Sequence, residues 1–265
     1  MSNLVSRIEE LFKERKKALI IYVMAGDKNL SKTLEYVLAL ESAGADIIEL
    51  GIPFSDPIAD GPTIQLADLR ALRSGTTPKK VLKLVERIRK YSEIPIALMT
   101  YYNIIFNFSE EQFIKRANEV GVDGVIVPDL PTEEAEALIK VARIYNLDTI
   151  FLAPPASTNE RIKKIIEKTR GFLYLVSLYG VTGAREKLSS STISLIKRVK
   201  LLTQSKIPLA LGFGISKPNH VYEAIKAGAD AVIVGSAVVN LIEKNASTRE
   251  IEKFVRSLKE AVVTV

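Results

Sequence analysis

The sequence predicts an α/β fold: a single-domain (β/α)8 TIM barrel over residues 1–265, with an extra N-terminal helix and a short phosphate-binding helix after strand eight. Three observations predict it. Short apolar, β-branched runs recur eight times, each followed by residues at helical spacing. These runs show no polar alternation, the pattern of strands buried on both faces in a helix-covered parallel sheet. Finally, "IPIALMT" leads to "GVDGVIVP" as "IPLALGF" leads to "GADAVIVG", an internal echo that favours a closed barrel over an open doubly wound sheet. The length of 265 residues agrees, since such barrels commonly use about 250 in one domain, and no linker or low-complexity segment marks a second.

The elements follow in order. "NLVSRIEELFKERKK" places Leu4, Ile8, Leu11 and Phe12 on one helical face, and it lacks the apolar block of a signal peptide, so no export signal is expected. "ALIIYV" and "DIIEL" are the first two strands. The second runs into "GIPFSDPIADGP", a loop whose backbone is shaped by proline and glycine. Val81, Leu84, Val85 and Ile88 form the inner face of a basic helix before the third strand, "IPIALMT". Ser109, three residues before Gln112, reads as the cap of the helix that precedes "DGVIVP". "DTIFLA" and "FLYLVS" are strands five and six, and "IPLALG" and "DAVIVG" are seven and eight. Gly235 and Ser236 open the short helix "GSAVVNLI". Ser247, three before Glu250, caps a last helix whose buried face holds Ile251, Phe254, Val255, Leu258 and Val262.

Composition narrows the function. No apolar run approaches the roughly 18 residues of a membrane span, so no membrane role is expected. The absence of cysteine removes disulfides, thiol nucleophiles and thiolate metal sites together, and fits a cytoplasmic protein. A single histidine argues against a catalytic zinc centre, so no metal is expected and acid–base work falls to carboxylates or tyrosine. The net charge of +6 is spread over helices such as "PKKVLKLVERIRKY" and "RIKKIIEKTR" with no aromatic-interleaved stripe, which reads as solvated helix faces and not as a nucleic-acid footprint. His220, near a helix start on the outer ring, reads as a surface residue.

Active sites of such barrels form where strands end and βα loops begin. Glu49 ends the second strand, and Asp56 and Asp60 lie in the loop after it. None of the eight strand runs contains Lys or Arg, so no Schiff-base lysine is offered and no cation is at hand for Glu49. A carboxylate buried without such a partner has a raised pKa, suited to giving and taking protons near neutrality. The glycine-rich "GVTGA", "GFGIS" and "VGSAV" follow strands six, seven and eight, where a phosphate usually meets free backbone N–H groups and a helix N-terminus. "GFGIS" lacks the third glycine of a dinucleotide loop. Tyr174 is a phenol on an otherwise apolar strand, either a core residue or part of the site.

"ELGIPFSDPIADGPTIQ", "YNIIFN", "GVDGVIVPDLP", "YLVSLYGVTGAR", "GFGIS" and "VGSAVV" together resemble the tryptophan synthase α subunit family, in the family's order and over nearly the whole chain. The resemblance implies a barrel lyase that cleaves indole-3-glycerol phosphate to indole and glyceraldehyde 3-phosphate without a cofactor of its own. It implies a pyridoxal-phosphate β subunit as partner, usually in an α2β2 complex. By motif it gives proton transfer to Glu49, the indole N–H to Asp60, and the glycerol chain to Tyr174. The phosphate would be met around Gly183, Gly214, Gly235 and Ser236, while Tyr22, Met99 and Ile126 would line the indole pocket. Thr182 would be the lid residue, and Pro53 and Asp56 would face the partner. Met24, Lys28 and Leu178 depart from residues common in the family and touch the pocket rim and the lid, not the acids.

The residues suit that chemistry independently. Breaking a carbon–carbon bond needs an electron sink, and the usual lysine imine or metal is not offered by this sequence. A protonated indole ring can serve, with one carboxylate facing the N–H as it becomes acidic and one group that gives and then takes a proton. An isomerase or prenyltransferase of a phosphorylated substrate would keep the barrel but has no evident need for Asp60. A catalytically idle binding subunit would not need Glu49 and Asp60 intact.

Overall fold

The structure, a computed structural model, describes residues 6–14, 17–177 and 187–264. Helix α1 (Arg7–Glu14) leads to β1 (Ala18–Met24), α2 (Leu30–Ser42), β2 (Ile47–Gly51), α3 (Pro62–Arg73), α4 (Pro78–Ile88) and β3 (Ile96–Met99). Then come α5 (Tyr102–Phe108), α6 (Glu110–Glu119), β4 (Gly124–Ile126), α7 (Glu136–Ile144), β5 (Asp148–Ile150), β6 (Leu152–Ala153) and α8 (Asn159–Lys168). The chain continues through β7 (Leu173–Val176), α9 (Ser190–Thr203), β8 (Leu209–Gly212), α10 (Pro218–Ala227), β9 (Ala231–Val234), α11 (Ser236–Glu243) and α12 (Thr248–Val263).

The strands pair in parallel in the order β5-β4-β3-β2-β1-β9-β8-β7-β6. The two ends of that order are consecutive in sequence. The expected fifth strand, "DTIFLA", is therefore two strands: Gly124 to Ile126 pair with Asp148 to Ile150, while Leu152 and Ala153 pair with Tyr174 and Leu175. One run bonds in turn to each edge of the sheet and brings it round into a barrel.

Alternation along each strand sorts the apolar residues into two cores. Leu19, Ile21, Val23, Ile48, Leu50 and Leu98 point outward and pack under the helices. Ile20, Tyr22, Met24, Ile47, Ala97, Met99, Ile126, Tyr174 and Ala210 fill the lumen. Helix α1 closes the far end, with fully buried Ile8 in the lumen cluster and Phe12 edge-on to Phe172 at 6.3 Å. Ser6 Oγ donates to Asp148 Oδ2 at 2.6 Å there. Leu4 lies outside the described residues.

Two local expectations are corrected. Ser109 precedes α6 but makes no side-chain cap, because its backbone at φ 68° turns it away from the helical amides. His220 is 5% exposed, because α10 packs against both α9 and α12 and its first turn is covered; its Nδ1 accepts from Ser216 N at 3.4 Å. The Ser247–Glu250 box forms as expected at the start of α12. No described helix is long and apolar enough to cross a membrane.

Candidate active site

Strand β2 delivers Glu49 into the lumen as the third of its five residues, beside Tyr22 of β1 in the ladder. The carboxyl is 1% exposed, and its Oε2 has no hydrogen-bond partner among the described residues. Burial, reinforced by the charge of Asp60, pushes Glu49 up from 4.5 to about 8. The acid is thus protonated at neutral pH.

After Gly51 the chain stays tied to the barrel through Ile52 N, which donates to Met99 O at 2.9 Å, and then bends back. Asp60 N donates to Pro57 O at 3.2 Å, so the turn presents the Asp60 side chain inward. Tyr101 Oη donates to Asp60 Oδ2 at 2.7 Å and accepts from Ala59 N at 3.0 Å. Burial lifts Asp60 to about 6 against the lowering effect of the Tyr101 hydrogen bond. The two acids therefore divide near neutrality, one mostly protonated and one mostly ionised.

Tyr22 and Tyr174 complete the polar lining of this apolar chamber, and the charges of both Glu49 and Asp60 raise the pKa of each phenol after burial. Small neighbours make room for them. A Cβ on Gly51 would stand 2.3 Å from Tyr22 Oη, and one on Gly212 would stand 2.5 Å from Tyr174 Oη. Met99 and Ile126 line the same lumen. Beside Tyr22, whose Cβ would stand 3.3 Å from a Cβ on Gly235, Gly235 caps α11 with Ser236 exposed next to it, and the first amides of that helix have no carbonyl inside it to bond. Gly214 holds φ +74°, which glycine adopts freely.

Glu49, Asp60, Tyr174, Tyr22, Met99 and Ile126 are thus brought to one chamber, with Gly214, Gly235 and Ser236 at the ends of β8 and β9. Thr182, Gly183 and Leu178 lie outside the described residues. Asp56 is exposed, whereas Pro53 is buried, because it lies at the inner end of the loop beside Ile52. Pro53 thus shapes the loop and offers little surface of its own. Lys28 reaches Glu243 O at 3.2 Å, away from the acids.

Sequence reasoning missed Tyr101 and Asp68. Tyr101 could have been found as the first polar ring after the third strand, at the height of the acid loop. Asp68 carried a clearer signal, an acid on the same helical face as Ile64, Ala67 and Ala71.

A parallel barrel with two neighbouring carboxyls at its C-terminal mouth that pair with no cation among the described residues, beside a glycine-started helix, defines a barrel enzyme of the acid–base type. Comparison with known proteins makes this specific. Residues 8–264 match the family model of the tryptophan synthase alpha chain, and the chain belongs to that family. The alpha chain of Methanocaldococcus jannaschii is 49% identical over 256 residues, covering 95% of this chain and 90% of that one. That of Methanothermobacter thermautotrophicus is 48% identical over 234 residues, covering 88% and 86%. Among solved structures, a chain of the tryptophan synthase α2β2 complex of Pyrococcus furiosus superposes with a TM-score of 0.86 at 43% identity, over 95% of this chain and 99% of that one.

Proposed function

We propose how the chamber carries out its family's reaction, the cleavage of indole-3-glycerol phosphate to indole and glyceraldehyde 3-phosphate. The chain is a carbon–carbon lyase of tryptophan biosynthesis. Glu49 enters the cycle protonated, because burial holds its pKa at about 8. It gives its proton to the indole carbon that bears the glycerol chain, which leaves the ring an iminium and Glu49 a carboxylate. Asp60, ionised, accepts the ring N–H and balances the positive charge as it develops. The Glu49 carboxylate then takes the proton of the side-chain hydroxyl. The carbon–carbon bond breaks, its electron pair returns to the ring, and an aldehyde forms. Indole leaves neutral and Glu49 is again protonated, so no external acid, base or electron carrier is consumed.

Tyr22, Met99, Ile126 and Tyr174 share the lumen cluster, the first three as an apolar slot for the indole plane and Tyr174 beside the glycerol chain in this reading. Gly214, Gly235 and Ser236 would receive the phosphate together with Gly183, and Thr182 would close over the site. This reading needs no cofactor in the chain; pyridoxal phosphate belongs to the β subunit. The β partner is supported by the relatives solved as tryptophan synthase complexes, one of them in a study of mutual activation in α2β2. A cytoplasmic location fits the absence of cysteine.

The observation that carries the mechanism is a buried Glu49 whose Oε2 has no hydrogen-bond partner among the described residues, with Asp60 as its charged neighbour. The test is indole release by Glu49→Gln with indole-3-glycerol phosphate. Turnover should fall at least about 100-fold with binding of glycerol phosphate analogues retained. Near-normal turnover would overturn the assignment.

A further inference from the structure

Asp68 sits on the inner face of α3 with 1% of its surface exposed. Its Oδ1 accepts the backbone N–H of Phe54 at 2.9 Å, and its Oδ2 has no hydrogen-bond partner among the described residues. A carboxyl group buried with one donor works against folding, because the hydration it loses is not replaced. No cation among the described residues compensates it: Arg70, two positions on, gives its guanidinium to Asp27 and Glu243. Burial, opposed by the Phe54 bond, pushes Asp68 to about 7, with Asp60 and Asp27 as its acidic neighbours.

What this costly group holds is the inner half of the loop that carries Asp60. Between Ser55 and Asp60 the loop is tied to itself through Ser55 Oγ to Asp56, Ile58 N to Asp56 O and Asp60 N to Pro57 O, and to α3 through Gln65 Nε2, which donates to Asp60 O at 2.8 Å. Phe54 is one of its points of contact with the barrel. Its ring stacks on Tyr101, with centroids 5.0 Å apart and planes 21° from parallel. Tyr101 in turn bonds both Ala59 N and Asp60 Oδ2. A continuous set of contacts runs from Asp68 through Phe54 and Tyr101 to the Asp60 carboxylate.

We propose that Asp68 is a positioning residue for carbon–carbon bond cleavage: by gripping the Phe54 amide it seats the Phe54 ring against Tyr101 and thereby aims Asp60 at the substrate. The inference rests on the role proposed above for Asp60. Asp68 touches no reacting atom. Its loss should therefore appear in turnover more than in substrate binding, since small misplacements of a catalytic group cost rate steeply.

The experiment compares kcat and KM for indole release by the full chain in complex with its β subunit. Asp68→Ala should lower kcat at least about tenfold while KM stays within about threefold. Asp68→Asn keeps an oxygen for the Phe54 N–H and should restore kcat to within about threefold of wild type. In an Asp60→Asn background, Asp68→Ala should cause little further loss, because the contact path then ends on a group that no longer balances charge. Equal impairment of Asp68→Ala and Asp68→Asn, or a full additional loss in the Asp60→Asn background, would overturn the proposal. Should Asp68→Ala fail to fold, Phe54→Leu serves instead. It leaves the amide bond and removes the ring stack, so a reduced kcat is expected and a wild-type kcat contradicts the path. Wild-type turnover of Asp60→Asn alone would remove the role of Asp60 itself. An impaired Asp60→Asn beside an unaffected Asp68→Ala would remove only the inference.

Discussion

Glu49 and Asp60 show how one chamber shifts two carboxyl groups to different extents. Glu49 has burial and a like charge acting on it with no opposing bond among the described residues, whereas Asp60 keeps a donor in Tyr101. The proposed mechanism needs Glu49 with its proton and Asp60 without. Raising the pH through about 8 strips Glu49, and lowering it through about 6 protonates Asp60, so kcat/KM should be bell-shaped with its plateau between those values. Tyr101→Phe removes the one bond that lowers the Asp60 pKa. Its acid limb should therefore move to higher pH while the alkaline limb stays in place. A pH profile of kcat/KM for the two proteins checks both statements, and an unmoved acid limb would mean that Asp60 is not the group titrating there.

At the scale of elements, two serines that look alike in sequence behave differently. Ser247 Oγ accepts from Glu250 N at 3.3 Å while Glu250 Oε2 accepts from Ser247 N at 2.8 Å, so the start of α12 has two of its free amides satisfied. Ser109 sits at φ 68° with no cap bond, a conformation that glycine adopts at lower cost. Ser247→Ala should destabilise the fold by about 1 kcal/mol. Ser109→Gly should leave stability unchanged or raise it by up to about 1 kcal/mol. Urea unfolding midpoints compare them. A larger loss for Ser109→Gly than for Ser247→Ala would show that the Ser109 hydroxyl has a role its geometry does not suggest.

For the whole molecule, the mouth of the barrel combines catalysis with an outward-facing apolar rim. Ile58 in the acid loop is 82% exposed and Phe106 on α5, in the neighbouring strand–helix unit, is 67% exposed, with exposed Asp56 close in sequence to the first. A partner that covers this rim would press on the same loop that holds Asp60, and could raise turnover by favouring its productive arrangement. The isolated chain should accordingly be a weak catalyst, stimulated by a cognate β subunit. Ile58→Asp combined with Phe106→Glu should weaken both binding and stimulation. Titrating indole release against added β subunit measures both. Stimulation of the double variant equal to that of wild type would place the interface elsewhere.

The sequence by itself determined the barrel and most of its elements and singled out Glu49 and Asp60 as candidate acids, because apolar runs, glycine and proline punctuation and a strand-end acid are local signals. It also showed that no strand lysine could neutralise Glu49. Tertiary structure alone decided what lies through space. The "DTIFLA" run splits at Phe151 because its two halves bond different neighbours, and His220 is covered because helices distant in sequence pack over it. Tyr101 and Asp68 join the site because β3 and α3 lie against the loop after β2, and no spacing in the chain encodes that contact. Hydrogen bonds and desolvation act over a few ångströms in space, so the pKa division between the two acids exists only once the barrel has closed around them.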